Sequence, residues 1–204
     1  MDVRESSLLP RSKGALFGAS HQFALGVVVV LAVAGTWATL ASGSASKASK
    51  TITVLAKDNG VTMSPNKYIQ DNMAFSPGTV TVKSGDSITF RFDKPNSHEP
   101  HTMTIVNQKD LPTNGMQVEN CHACQQLASP HLKKPKAEPG PGNPIVHWTL
   151  NKGNPGFDTV GDSIAIEEPG AHKSNTVKVT AKPGTTLYFL CAVHPWMQGK
   201  MVVK

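Results

Sequence analysis

Near its C-terminus the sequence reads TLYFLCAVHPWMQGKMVVK, in which Cys191, His194 and Met197 follow one another at equal intervals. A thiolate, an imidazole and a thioether share one chemistry: each offers a soft or borderline lone pair to a transition metal. A buried thiol followed by an ordinary surface turn would leave that spacing without a reason. Residues 191–197 therefore read as a ligand loop.

Such a loop must be held by the elements on either side of it. Alternation along Thr186–Cys191 puts Leu187, Phe189 and Cys191 on one face of a strand, and the company of aromatic and aliphatic side chains makes that the core face. Ala192–Met197 then turns back before a closing strand, returning His194 and Met197 to the same point. One donor is still missing. A trigonal set of two histidines and one cysteine with a weak axial methionine is the donor set of electron-transfer copper. The stretch NSHEPHTMTIV supplies the second imidazole: His101, Met103 and Ile105 share a strand face, so His101 points inward, and His98 in the preceding turn is the alternative. The predicted set is His101, Cys191, His194 and Met197, holding one copper. A two-copper centre would need two cysteines in the loop, which has one. With four protein donors no coordination position stays open for substrate, which argues for electron transfer and against an enzyme.

The whole chain can carry such a domain. It has 204 residues, 39% hydrophobic and 17% charged, the composition of a globular protein. Phe23–Ala41 is uncharged and about as long as a helix that crosses a bilayer, so it is expected to be a transmembrane anchor or a signal segment. Residues 1–22 precede it as a cytoplasmic segment, and 42–50 form a small, polar linker. From residue 51 to 204, short runs rich in Val, Ile, Thr and Phe alternate with Gly, Pro, Asn and Asp. Strands are expected at 51–56, 79–83, 87–93, 101–106, 145–150, 163–167, 176–181, 186–191 and 200–204. The fold class is all-β, a Greek-key sandwich or barrel of about eight strands. Residues 107–161 interrupt it with a long loop insertion rich in Pro, Gly and Asn. Beyond residue 50 the chain has 15 Lys and Arg against 12 Asp and Glu, a net charge of +3 that is too mild and too dispersed for a nucleic-acid partner, and the basic run HLKKPK at 131–136 reads as a solvated loop.

FSPGTVTVKSGDSITFRFDKPNSHEPHTMTI and PGTTLYFLCAVHPWMQGKMVV together resemble the cupredoxins, the small blue-copper proteins, over residues 72–106 and 160–204. The contracted Cys-x2-His-x2-Met loop, with Pro195 after the histidine, is similar to that of the amicyanins. The resemblance implies a cupredoxin-like sandwich, a type 1 copper and redox partner proteins that dock where the loop histidine reaches the surface. Val193, Pro195 and Trp196 would form that docking patch, although Trp196 equally suits packing on the sandwich end. Two features depart from the family pattern: Thr102 follows the first histidine where many members have Asn, and the insertion is long.

Cys121 and Cys124 in ENCHACQQL admit three readings. They form a disulfide in an oxidising compartment, a second metal site that involves His122, His131 or His98, or free, redox-active thiols. Haem attachment fails because Gln125, not histidine, follows the second cysteine. His147 and His172 have no partner at ligand spacing. The function expected is a membrane-tethered carrier of single electrons with its copper domain on the extracytoplasmic side. The alternative is a copper chaperone or store that uses the insertion.

Overall fold

Alternating side chains build two facing sheets. The computed structural model describes residues 48–94, 99–137, 142–167 and 172–204; the apolar segment Phe23–Ala41, the residues before it and His98 lie outside them. Among the described residues no helix is long and apolar enough to cross a membrane.

Strands β1 (Thr51–Lys57), β4 (Ala74–Ser76), β6 (Ser87–Phe92) and β10 (Ser174–Lys178) make a four-stranded sheet in the order β10-β6-β1-β4. The second sheet has six strands. They are β5 (Thr79–Val82), β7 (His101–Val106), β8 (Thr149–Leu150), β9 (Ser163–Ile166), β11 (Thr186–Leu190) and β12 (Gln198–Val203). Their order is β5-β12-β11-β7-β9-β8. Parallel pairing of β1 with β6 and of β5 with β12 requires the chain to cross between sheets, as a sandwich does and a meander does not. A separate hairpin joins β2 (Val61–Ser64) to β3 (Tyr68–Asp71).

One core lies between the sheets. Val54, Ile88, Phe90 and Phe92 of the first sheet meet Val80, Met103, Ile105, Leu187, Phe189 and Met201 of the second. Phe75 packs edge-on against Phe189 with centroids 5.1 Å apart. Full burial of each such side chain is worth roughly 1.5–3 kcal/mol. Gly199 stands opposite Phe189 in the β11–β12 ladder, and a Cβ there would lie 2.4 Å from the Phe189 ring, so only glycine admits the ring.

The insertion departs from the expectation of a structureless loop. It contains two short helices, α1 (Gly115–Glu119) and α2 (His122–Ala128), each begun by a side-chain cap, Asn114 Oδ1 accepting from Gln117 N and Cys121 Sγ from Cys124 N. The strand expected over 145–150 is also cut down, to Thr149–Leu150. Ile145 is drawn instead into a bridge with Leu132, and the two pack with Ala165 under the insertion. The basic run is only partly a solvated loop, since His131 and Leu132 are buried at its start. This packing roofs the outer face of the second sheet: Cys124 and Ala128 of α2 cover Val106, Leu190 and Ala192. In consequence β7 and β9 are buried at every position, on both faces.

Candidate metal centre

His101 opens β7 on its inward face, next to the inward Met103 and Ile105. Cys191 takes the next inward position beyond the end of β11. The residues after it form a turn closed by two backbone hydrogen bonds, Met197 N to His194 O at 2.9 Å and Cys191 N to Met197 O at 3.0 Å. The equal spacing of the donors is therefore the spacing of this turn. Gln198 Nε2 ties the turn down by donating to Pro195 O at 3.0 Å and to Pro112 O of the insertion at 2.7 Å.

Three donor atoms converge. His101 Nδ1 and His194 Nδ1 are 3.1 Å apart, and Cys191 Sγ lies 3.9 Å from the first and 3.7 Å from the second. All three residues are buried. A point equidistant from the three atoms is about 2.1 Å from each, at the zinc–imidazole distance and about 0.2 Å short of the zinc–thiolate one. Among the described residues this is the group of His, Cys, Asp and Glu side chains able to hold an ion. Met197 is buried in the core cluster that contains Cys191. Soft sulfur with two imidazoles suits copper better than the hard cations.

The electrostatics agree with a metal-binding set. Burial pushes the Cys191 thiol up, but hydrogen bonds and charge from His101 and His194 outweigh it and hold the thiol well below its ordinary range. Burial alone lowers His194, whereas the Cys191 thiolate and then the Glu99 carboxylate raise it above the usual histidine value. Thr102 N donates to Cys191 Sγ at 3.3 Å, so the Thr that departs from the family pattern still supplies an amide to the sulfur. Glu99 meets His194 Nε2 at 2.6 Å, which keeps the hydrogen on Nε2 and leaves the Nδ1 lone pair facing the centre. His101 Nε2 is buried without a hydrogen-bond partner among the described residues.

Glu99 was not legible in the sequence as a site residue. It stands two residues before His101, and only the fold brings it to the outer nitrogen of His194. Around the loop, Trp196 is 37% exposed with its ring edge-on to His194 at 5.3 Å, Val193 is half-buried and Pro195 is buried. Cys121 and Cys124 form a disulfide. It consumes both sulfurs, so these thiolates are not available to a second metal site with His122, which lies exposed at the start of α2. His131 is also engaged, its Nε2 2.7 Å from Ser163 Oγ. His172 stacks on Trp148 with centroids 3.8 Å apart, and His147 gives its carbonyl to His131 Nδ1.

No protein-family model matches the chain, and no curated protein matches it. Solved structures of blue-copper proteins do resemble it at low identity. Auracyanin A, a "blue" copper protein of Chloroflexus aurantiacus, is 19% identical, with 77% of this chain and 100% of that one covered and a TM-score of 0.41. The auracyanin of Roseiflexus castenholzii is 22% identical over 77% and 98% of the two chains, with a TM-score of 0.40. The Cu(I) form of an amicyanin variant is 15% identical over 78% and 88%, with a TM-score of 0.36. At such scores the likeness is remote, and the weight falls on the side chains of the centre itself.

Proposed function

We propose that this chain is a membrane-tethered type 1 copper protein that carries single electrons between redox partners. The observation that carries the reading is the convergence of His101 Nδ1, His194 Nδ1 and Cys191 Sγ, within 3.9 Å of one another and shut away from water. His101, Cys191 and His194 would hold the ion, and Met197, buried in the same cluster as Cys191, would add a thioether donor. When bound, copper supplies the one-electron couple. The chain supplies the rest: two imidazoles that suit either oxidation state, a thiolate and thioether that favour the reduced one, and a loop whose backbone bonds keep the donors in place as charge changes.

Burial of the donors prevents water or substrate from reaching the ion, which suits transfer and not substrate turnover. Electrons would pass by way of His194, whose ring lies edge-on to the exposed Trp196; Trp196 and the half-buried Val193 mark where a redox partner docks, and Pro195, expected to share that patch, is buried behind them. The Cys121–Cys124 disulfide supports an oxidising compartment. Together with the uncharged Phe23–Ala41 segment it supports an anchor that leaves residues 51–204 on the extracytoplasmic side. Sequestration of both insertion cysteines leaves the copper-store alternative without the thiolates it would use.

Copper titration of the full chain in membranes or detergent tests the proposal. One copper per chain is expected, with an intense visible thiolate-to-copper band that Cys191→Ser abolishes. A colourless copper-loaded protein would overturn it. Protease protection of the full chain in sealed vesicles tests the anchor and the side on which the domain lies.

A further inference from the structure

The outer face of β7 carries hydroxyl groups where it meets the insertion. Thr102 and Thr104 alternate with the inward His101, Met103 and Ile105, and Ser163 lies opposite Thr104 on β9. All are buried, as is His131 of the insertion. Buried hydroxyls must be bonded to one another or to neighbours, and here they form one chain. Ala192 N donates to Thr102 Oγ1 at 2.7 Å, and Thr104 Oγ1 donates to Thr102 Oγ1 at 3.1 Å. Thr104 and Ser163 hydroxyls are 2.6 Å apart, and Ser163 Oγ is 2.7 Å from His131 Nε2. His131 Nδ1 ends the chain on the carbonyl of His147.

Each hydroxyl has a single hydrogen, so the links are not independent. When Thr104 donates to Thr102, Ser163 must donate to Thr104 and itself receive a hydrogen from His131 Nε2; because Nδ1 already donates to the carbonyl of His147, this arrangement belongs to the doubly protonated His131. A neutral His131, its one hydrogen on Nδ1, instead accepts from Ser163, so Thr104 turns its hydrogen to Ser163 and Thr102 loses that donor. The hydrogens of His131 thus set the direction of the chain as far as Thr102. Thr102 touches the centre twice: its amide bonds the Cys191 sulfur and its hydroxyl holds the amide of Ala192, the residue after that cysteine. Hydrogen bonding around the cysteine sulfur is one of the means by which a protein tunes a copper–thiolate couple.

We propose that His131 is a positioning residue of the copper centre, acting through Ser163 and Thr104 on Thr102 and hence on the Cys191 sulfur and the ligand loop. The proposal rests on the copper reading above. Sequence spacing gives His131 no link to the ligands, and it touches none of them; the connection is made by the face of β7 that points away from the metal.

Thr104→Val removes the middle hydroxyl with little change of shape, Thr104→Ser keeps it, and His131→Gln alters the far end. In the copper-free full chain, the amide proton resonances of Thr102 and Ala192 are expected to move in Thr104→Val and His131→Gln and to stay near their original positions in Thr104→Ser. In the copper-loaded chain, each of the first two variants is expected to change the Cu(I)/Cu(II) ratio at a fixed applied potential at least threefold, with the thiolate-to-copper band shifted. Their double variant should differ no more than either alone, because both interrupt one chain. Unmoved resonances, an unmoved potential, or effects of the two that simply add would overturn the proposal. A wild-type chain that takes up no copper would instead end the reading of the previous subsection, and the amide resonances would still decide whether the hydroxyl chain acts on the loop.

Discussion

Glu99 and His194 meet at 2.6 Å, a half-exposed carboxylate on the outer nitrogen of a buried imidazole. The contact fixes which nitrogen of His194 faces the donor triangle. Residues that orient a metal-binding histidine typically contribute tenfold or more to affinity. Glu99→Gln keeps the shape but weakens the hold on Nε2–H, so copper affinity should fall by about tenfold, at the lower end of that range because Glu99 is solvated. Competition with a chelator of known affinity measures it, and unchanged affinity would remove Glu99 from the site.

Copper uptake should depend on pH with a definite sign. In the metal-free chain the Cys191 thiol is held well below its ordinary range and His194 is raised above about 6.5, so the proton that copper displaces is expected on the imidazole. Affinity should therefore rise with pH through the raised His194 value and then level off, with no further gain near the ordinary thiol range. The same raised group contributes stability to the metal-free chain that is present below about pH 6.5 and lost as pH rises through its folded value. Proton release on copper addition, measured at several pH values, checks the first statement. Release should fade as pH rises through the raised His194 value, and release that persists towards pH 9 would place the displaced proton on sulfur.

Copper itself should stabilise the fold by mass action. At a free concentration a thousand times Kd, the gain is about 4 kcal/mol, seen as a higher Tm. Cys191→Ser should lose most of that gain, read as the difference in Tm with and without copper for each chain.

Gly199→Ala should be costly in a position that looks innocuous. Its Cβ would meet the Phe189 ring at 2.4 Å and the carbonyl of Gly78 at 2.7 Å, and the backbone contact cannot yield as a flexible side chain would. Overpacking of this kind costs about 1–3 kcal/mol. Denaturant unfolding reads the loss; an unchanged midpoint would show that Phe189 can move aside.

The Cys121–Cys124 disulfide closes a short loop, so cutting it should cost only about 2 kcal/mol by the chain-entropy relation. Since Cys124 packs on Leu190 and Ala192, on either side of Cys191, replacing both cysteines by serine should lower Tm yet leave copper bound. Loss of copper in that variant would make the insertion part of the binding site.

Much of the site is legible because each ligand-bearing segment obeys a local rule. Alternation along β7 and β11 gives the inward direction of His101 and Cys191, and the shortness of the turn brings His194 back to them. The hairpin β2–β3 is not legible because its apolar residues, Val61, Met63 and Ile69, are exposed and so show no core-facing alternation. The helices of the insertion are too short for a helical period to emerge, and their starts depend on single caps at Asn114 and Cys121. Glu99 and His131 are invisible for another reason: their roles depend on distant partners, His194 and Ser163, that only the folded chain supplies.

The insertion gives β7 a covering on its second side, and that has a consequence for how the protein comes apart. A strand enclosed from above and below keeps its amides from solvent until the whole sandwich opens, whereas the turn 191–197 reaches the surface at Trp196 and Val193. His101 therefore sits on the last scaffold to loosen, and the other donors sit on an earlier one. Opening from the turn would release the ion while half of its cradle is still standing, ready for rebinding without refolding.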